Sequence, residues 1–304
     1  MPDGGERDFL AHRNLLMGVA YRVLGRVADA EDVVQEAWLR WSKAGPVADP
    51  EAFLVTVTTR LAVDRLRRVR ARREAYVGEW LPDPLLTGPD AAAGVLRTES
   101  VSLALLVVLE SLSPLERAVF VLRDVFEFPY AEIAAALDRR EPAVRQLAAR
   151  ARTHVQERRP RFEVDPVAWR QVTDRFLGAC LNGDVAELMG LLAPDVRLIA
   201  DSGGKAVAPR RPITGPEQVA RFVLKIMKLS RSFTDSAGVD PAARIGYRLV
   251  TANGGPALQV TADDRPFVHF QLQVADGRVS ACHLIVNPDK FAAVTAEDGP
   301  ALRP

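Results

Sequence analysis

Residues 29–41 read DAEDVVQEAWLRW. Within this stretch Asp32, Gln35 and Glu36 fall at spacings of three and four, so they share one side of a helix. The apolar residues recur at helical spacing on another side and predict a buried stripe: Ala30, Val33, Val34, Ala37, Trp38 and Trp41. The pattern therefore predicts an amphipathic helix with a compact polar patch. Taken alone, the patch could bind a partner or be a plain solvated face.

The next predicted helix starts at Asp49-Pro50 and has arginines crowded into its second half. Between Arg60 and Arg73 there are seven arginines and one acidic residue, Asp64. The net charge of +1 argues nothing about nucleic acid, but local clusters of one sign set the potential that phosphates meet. Such a helix can bind DNA phosphates without sequence preference, and it suits single-stranded DNA. Some of these arginines could instead merely keep the helix soluble.

A proline-rich segment follows, predicted over residues 76–99. WLPDP (Trp80–Pro84) and Thr87-Gly88-Pro89 cannot lie inside a helix, because proline lacks the backbone donor and clashes with the preceding turn. The segment nevertheless carries Leu81, Leu85 and Leu86 besides its tryptophan. A free tether would not need these apolar side chains, so we expect the segment to dock on another part of the chain.

A helix-turn-helix pattern comes next. Ser113 to Glu116 has the form of a capping box with proline at the first helical position, and it opens a predicted helix that runs to Phe126. A short helix from Pro129, a turn around Asp138 and a basic helix from about Pro142 complete the pattern. The residues predicted to face outward are suited to base edges and phosphates: Arg140, Glu141, Arg145, Gln146 and Arg150.

The last third has a different texture, with helices first and alternating strands at the end. Strands predicted at Phe267–Val274 and Val279–Val286 flank a hairpin-type turn. This order predicts an α+β unit, one curved sheet with helices on its concave side. The candidates for acid–base chemistry are Asp174, Asp201, Lys205, His269 and His283. Their spacing shows no matched base and acid. Enzyme activity and small-ligand sensing both stay open as alternatives.

Nothing in the sequence predicts membrane insertion or metal binding. The first residues lack the apolar core of a signal peptide, and the longest apolar stretch, residues 101–109, is too short to span a bilayer. Two cysteines and four histidines show no metal-ligand spacing. We therefore expect a cytoplasmic protein with no metal, no cofactor, no membrane partner and no catalytic residue.

Taken together and in order, these motifs resemble the extracytoplasmic-function sigma factors of bacterial RNA polymerase. The resemblance implies that Asp32, Gln35 and Glu36 bind the β′ clamp helices of the polymerase core. It implies that the helix-turn-helix residues given above read the −35 promoter element. The −10 element is assigned to the arginine-rich helix: Arg60, Asp64, Arg65, Arg67, Arg68 and Arg72. The chain has Thr59-Arg60 where the family commonly has Arg-Asn, and Asp138 where the turn often has glycine.

The C-terminal third resembles the SnoaL-like branch of the cone-shaped fold shared with ketosteroid isomerase. A subgroup of these sigma factors carries such a domain as a built-in regulator, together with three signatures that stand here as WLPDP, DSGGK (Asp201–Lys205) and NPDKF (Asn287–Phe291). We expect the three to meet, with Trp80 as the anchor and with partly exposed ion pairs from Lys205 and Lys290 to Asp83. The expected contact set is Trp80, Asp83, Asp201, Lys205, Asn287, Asp289 and Lys290.

The sequence thus predicts a multidomain protein with two all-α sigma domains and a C-terminal α+β cone. The predicted bounds are 6–75 for sigma-2, 76–99 for the linker, 100–160 for sigma-4, 165–291 for the SnoaL-like domain and 292–304 for a tail. Polymerase core and promoter DNA are the expected partners, with a small molecule in the C-terminal domain as a further candidate. The alternatives are a one-component regulator that senses a ligand and an enzyme with a DNA-binding appendage.

Overall fold

The computed structural model describes residues 3–73, 76–87, 102–158, 165–227, 231–291 and 301–302. The chain divides into two compact units, one of residues 1–74 and 93–159 and the other of residues 75–92 and 160–304. The two predicted sigma domains therefore form a single unit. The start of the proline-rich linker belongs to the C-terminal unit, as expected for a segment that docks.

Three helices open the first unit: α1 (Asp3–Leu24), α2 (Val27–Trp41) and α3 (Pro50–Arg73). The predicted stripe of α2 is buried from Ala30 to Trp41, apart from Trp38, which is partly exposed and packs on Phe9 with ring centroids 4.9 Å apart. The Asp49 carboxylate accepts a hydrogen bond from Ala52 N and so caps the start of α3. The apolar faces of the three helices pack together, which leaves their polar faces for solvent or partners.

Four further helices lie in the described residues of this unit: α4 (Leu103–Leu109), α5 (Pro114–Phe120), α6 (Tyr130–Leu137) and α7 (Glu141–Arg158). The capping box between Ser113 and Glu116 is present. The helix expected to run from 114 to 126 ends as an α-helix at Phe120, because Val121–Val125 forms a π-helical turn in which Phe126 N bonds to Val121 O. Asp138 ends α6 with a φ of 52°, a left-handed conformation that aspartate tolerates.

The second unit is a mixed sheet covered by helices. Its elements are α8 (Pro166–Asn182), α9 (Val185–Leu191), β1 (Leu192–Asp201), β2 (Ile213–Thr214), α10 (Pro216–Met227), α11 (Arg231–Ser236), β3 (Ile245–Ala252), β4 (Gly255–Ala262), β5 (Arg265–Ala275), β6 (Arg278–Ile285) and β7 (Ala301–Leu302). The strand order is β2-β1-β6-β5-β4-β3-β7, and β1 runs parallel to β6. The two strands predicted from the sequence correspond to β5 and β6, whereas the hairpin of β3 and β4 was missed.

The two faces of this sheet differ in chemistry. One face packs against the helices through apolar side chains, with Phe176 of α8 stacked on Phe270 of β5 at 6.0 Å. The opposite face carries two pairs of polar residues that lie directly across from each other on neighbouring strands. Gln259 of β4 pairs with His269 of β5, and Gln271 of β5 pairs with His283 of β6. All four of these side chains are buried. Alternation along the strands puts the chemically distinct residues on separate faces.

Candidate functional sites

The polar patch of α2 faces an open groove between α2 and α3. Asp32 and Gln35 are exposed, and Glu36 is half-buried with its carboxylate 3.1 Å from Arg40 Nε. The groove has a volume of about 530 Å³. It is lined by Asp32, Val33, Gln35, Glu36, Leu39, Arg40, Leu61, Arg65 and Arg68. Leu39, at 47% exposure, gives the patch an apolar neighbour, so the site can take both polar and apolar contacts from a partner.

Arg65 lies in the wall of this groove and faces α2. Its Nη2 lies 2.6 Å from Asp29 Oδ1 and 2.6 Å from Asp32 Oδ2, and its Nε lies 2.9 Å from Asp29 Oδ1. Burial lowers the pKa of Arg65, but hydrogen bonds and charge attraction from the two aspartates outweigh burial, so its pKa is raised. The structure therefore places this predicted −10 residue against carboxylates of its own chain.

The other predicted −10 residues whose side chains are described have two different environments. Arg67 pairs with Asp64 at 3.0 Å, and Arg68 donates to the backbone of Asp64, so both stay exposed on α3. Arg60 instead donates from Nε to Ala136 O at 2.6 Å and from Nη2 to Ala135 O at 3.0 Å. The side chain of Arg72 lies outside the described residues.

Arg70 makes a second contact of the same kind as Arg60, and sequence analysis missed it. Its Nη2 donates to Glu110 O at 2.6 Å and also to Leu112 O, just past the end of α4, and burial lowers its pKa. Cations are favourable at the C-terminal ends of helices, where carbonyl groups are unpaired. Arg60 and Arg70 thus bind α3 to the ends of α6 and α4. No local pattern distinguishes them from the neighbouring arginines.

The helix-turn-helix presents most of its predicted side chains at the start of α7. Arg140 and Gln146 are exposed. Arg145 pairs with Glu141 at 2.5 Å, and its guanidinium lies 4.5 Å from the ring centroid of Tyr130. Arg150 is directed at α5, where its Nε lies 3.2 Å from Glu116 Oε1. The inward stripe of α7 is buried as predicted: Val144, Leu147, Ala148, Ala151 and Val155.

A buried carboxylate at the end of β1 holds the first part of the linker. Asp201 is fully buried and accepts hydrogen bonds from Tyr76 Oη at 2.5 Å, Leu81 N at 2.8 Å and Gly203 N at 3.2 Å. Its Oδ2 also lies 2.7 Å from Lys290 Nζ. A buried charge requires such partners. The signatures WLPDP, DSGGK and NPDKF therefore meet around one aspartate.

The position of Lys290 corrects the expectation of weak, partly exposed ion pairs. Lys290 is 3% exposed, donates to Leu81 O, and has its Nζ 3.9 Å from Asp83 and 4.1 Å from the ring centroid of Trp80. Lys205 was also expected near Asp83, but it pairs with Asp289 at 2.5 Å, with both side chains half exposed. The strong charge pairing of this site is therefore that of Lys290.

The linker is attached at a second place, on the β3–β4 hairpin. Leu85 and Asn253 exchange hydrogen bonds, since Asn253 Oδ1 accepts from Leu85 N at 3.1 Å and Leu85 O accepts from Asn253 N at 2.8 Å. Leu81 and Leu85 are buried, whereas Trp80 is only partly buried. The leucines are thus deeper anchors than the expected tryptophan. Sequence analysis missed this attachment, although Asn253-Gly254 is a typical hairpin dipeptide.

Glycines of DSGGK allow the close approach. A Cβ on Gly203, which has a φ of 57°, would lie 2.5 Å from Asn287 Nδ2. Gly204, with a φ of 73°, would place a Cβ 3.0 Å from Val77 of the linker. Both positions therefore need glycine for conformation, and Gly203 needs it for space as well.

The acid–base candidates of the second unit do not assemble around the cavity between its sheet and its helices. On the helix side of the sheet a cavity of about 20 Å³ is lined by apolar side chains together with Cys180 and Tyr247, which leaves room for about one water molecule. His269 and His283 lie on the opposite face, where burial lowers the pKa of each to about 4. Asp174 pairs with Arg170 on the surface. The described lining of this cavity contains none of the five acid–base candidates.

No helix in the described ranges is both long and apolar enough to span a membrane.

Comparison with known proteins agrees with the geometry of the first unit and with the order of the domains. Residues 9–73 match the family model for Sigma-70 region 2, and residues 102–155 match that for Sigma-70 region 4. The chain is 42% identical over 290 residues to the ECF RNA polymerase sigma factor SigJ of Mycobacterium tuberculosis, covering 93% of this chain and 92% of that protein. It is 33% identical to the probable ECF RNA polymerase sigma factor SigI of the same species, with 95% of each chain covered.

Among solved structures, the crystal structure of Mycobacterium tuberculosis SigJ is similar across both units. The TM-score is 0.76 at 39% sequence identity, with 94% of this chain and 98% of that chain covered. The fold is therefore two all-α sigma domains followed by a C-terminal α+β domain, as the sequence predicts.

Proposed function

Because the chain belongs to the extracytoplasmic-function sigma factors of RNA polymerase, we propose that Asp32, Gln35 and Glu36 bind the clamp helices of the polymerase core. The observation that carries this proposal is the groove beside α2. It combines an exposed polar patch with the exposed side chain of Leu39, while the opposite side of the helix is buried. Leu39 adds apolar surface beside the polar side chains of the groove, so a partner that binds there can make both kinds of contact.

Promoter binding is divided between the two basic helices. Arg67 and Arg68 on α3 are exposed and bonded within their own helix, so they can turn to DNA phosphates of the −10 region at little cost. Arg140, Arg145 and Gln146 stand together at the start of α7, the position from which a recognition helix reads base edges. Arg150 supports α7 from its own unit through its pairing with Glu116.

The arrangement of the first unit is a closed form that must open on promoter DNA. A spacer of about 16 base pairs at ~3.4 Å per pair separates the two elements by roughly 54 Å. Arg60 and Arg70 instead hold α3 in direct contact with α6 and α4. The sigma-2 and sigma-4 domains therefore have to separate. When they do, Arg60 leaves the carbonyl groups at the end of α6 and binds DNA instead.

The C-terminal domain regulates this opening by holding the linker. A free linker of about 24 residues reaches at most ~80 Å, and the residues after 87 reach only about half of that. The docked part, residues 76–87, follows a path that Asp201 and Asn253 fix. The C-terminal domain thereby sets where the linker leaves it, without contacting DNA. The contact set around Asp201 and Lys290 is the point of control.

The function is tested by in vitro transcription with polymerase core and the full-length chain. Replacing Asp32, Gln35 and Glu36 together by alanine should abolish core binding and transcription while the helical fold is retained. Glu31→Ala is the matched control, because Glu31 is an exposed acid on the same helix outside the patch. Unchanged core affinity in the triple variant would show that the patch is a plain solvated face.

A further inference from the structure

Arg65 occupies an unusual position for a residue of an arginine-rich DNA-binding helix. Its side chain is 31% exposed and lies between two aspartates of α2, whose side chains are 10% and 57% exposed for Asp29 and Asp32. The single guanidinium makes three contacts of 2.9 Å or less with the two carboxylates. Arg65 thus joins the helix that carries the polymerase patch to the helix that carries the promoter arginines.

The chemistry of the two carboxylates explains why an arginine stands here. Asp29 is nearly buried, and a buried carboxylate requires a close, hydrogen-bonded cation. Asp32 is more than half exposed, and its side chain would sample several rotamers without a partner. A guanidinium has a rigid fork of donors that can hold two carboxylates at once, whereas a lysine ammonium is a point charge.

We propose that Arg65 is a positioning residue for polymerase binding: it holds Asp32 in the orientation that the core contacts and fixes α2 against α3. This inference rests on the proposed role of Asp32, Gln35 and Glu36. It departs from the sequence-based assignment of Arg65 to −10 DNA. If Arg65 turned to a phosphate, the Asp29 carboxylate would lose its cation while still buried, so the residue stays with α2 when DNA binds.

Two substitutions at Arg65 separate the positioning role from a DNA contact. Arg65→Lys keeps the positive charge but cannot bridge both carboxylates, and Arg65→Ala removes both properties. We expect each variant to weaken the affinity for polymerase core by roughly tenfold, the size of effect typical of a lost charged anchor. A phosphate contact would behave differently, because Arg65→Lys would then be close to the natural protein in both core and DNA affinity.

Arg67→Ala is the matched control, because Arg67 is an exposed arginine of the same helix that pairs with Asp64 at 3.0 Å and lies outside the lining of the groove. It should leave core affinity unchanged, lower the DNA affinity of the holoenzyme and reduce the slope of its salt dependence by about one. The Arg65 variants should leave that slope unchanged when the holoenzyme is fully assembled at saturating core. A reduced slope for Arg65→Lys or Arg65→Ala would overturn the proposal.

A double-mutant cycle of Arg65→Ala with Asp32→Asn tests whether Arg65 acts through Asp32. The two losses of core affinity should not add, since the second change finds the interaction already removed. Far-ultraviolet circular dichroism checks that the variants keep their helices, and Arg65→Lys provides the measurement should Arg65→Ala unfold. Additive losses would contradict positioning. If the triple patch variant binds core normally, the proposed function fails; if it loses binding but Arg65→Lys does not, only the positioning role fails.

Discussion

The two cationic regions of this protein, the arginines of α3 and the lysine of the linker site, are built on opposite principles. Arg67 and Arg68 are exposed and take partners from their own helix, and Arg60 takes backbone carbonyls. Lys290 is buried and shares one site with Asp201, Asp83, Leu81 O and the face of Trp80. Water can replace the partners of an exposed arginine, but it cannot reach a buried lysine.

This difference teaches which contacts can exchange during initiation. The contacts of α3 can pass from protein to DNA, because both states are charge-assisted hydrogen bonds at an accessible surface. The linker site can open only as a whole, because moving either Lys290 or Asp201 away alone leaves the other ion buried without its counter-ion. The contacts of Arg60 and Arg70 that join the two sigma domains are called the clasp. We therefore expect the attachment of the linker to persist and the clasp to open.

The largest expected effect is that of Lys290→Ala. The change leaves the Asp201 carboxylate buried without its cation, and breaking such a pair typically lowers the free energy of unfolding by about 3–5 kcal/mol. Thermal and denaturant unfolding of the full-length chain should show this loss in the C-terminal unit. Lys205→Ala, at a half-exposed pair with Asp289, should change it by about 0–1 kcal/mol. If both variants lowered the free energy of unfolding by the same small amount, the contrast between buried and exposed cations would be wrong.

The buried histidines predict an acid-labile C-terminal unit. Burial lowers the pKa of His269 and His283 to about 4, below the value of about 6.5 expected in the unfolded chain. The unfolded state then binds more protons between these pH values, so stability is full above about pH 6.5 and falls as the pH drops towards 4. At pH 5 the loss should be on the order of 2 kcal/mol per histidine. His269→Asn should flatten the curve between pH 7 and 5, and an unchanged curve would contradict the assignment.

A medium effect is expected from the promoter-reading side chains. Gln146→Ala should weaken holoenzyme binding by about 1–3 kcal/mol at one or two −35 positions and relax the preference there. Arg68→Ala should weaken binding to all sequences alike, which is the mark of a phosphate contact. Competition binding with promoter variants measures both. Sequence-selective loss from Arg68→Ala would show that α3 does more than supply charge.

The smallest expected effect is that of Arg60→Ala on the clasp. Removing two hydrogen bonds to helix-end carbonyls should favour separation of the sigma domains by on the order of 1 kcal/mol. Fluorescent labels at exposed positions of α1 and α6 would report the distance between the domains in the free protein. Arg67→Ala, which removes only a pair within α3, is the control. An effect of Arg60→Ala no larger than that of the control would mean that the Arg60 contact does not hold the domains together.

Much of the site list follows from local pattern. The spacing of Asp32, Gln35 and Glu36, the capping box at Ser113 and the inward stripe of α7 each depend on residues within one or two helical turns, and the structure confirms the elements they predict. The meeting of WLPDP, DSGGK and NPDKF came from resemblance to a family, since nothing local relates residue 81 to residue 290.

The sequence by itself determined the helices, the helix-turn-helix, the order of the domains and the polarity of each face, because these depend on periodicity and on capping within a few residues. Only the tertiary structure decided the partners of those charged side chains that bond to residues far away in the sequence. Arg65 meets Asp32 across 33 positions, Arg60 meets Ala136 across 76 and Lys290 meets Leu81 across 209. A guanidinium or ammonium group has no preference among carboxylates and carbonyls that periodicity could reveal. Its partner is the one that folding brings within about 3 Å and shields from water.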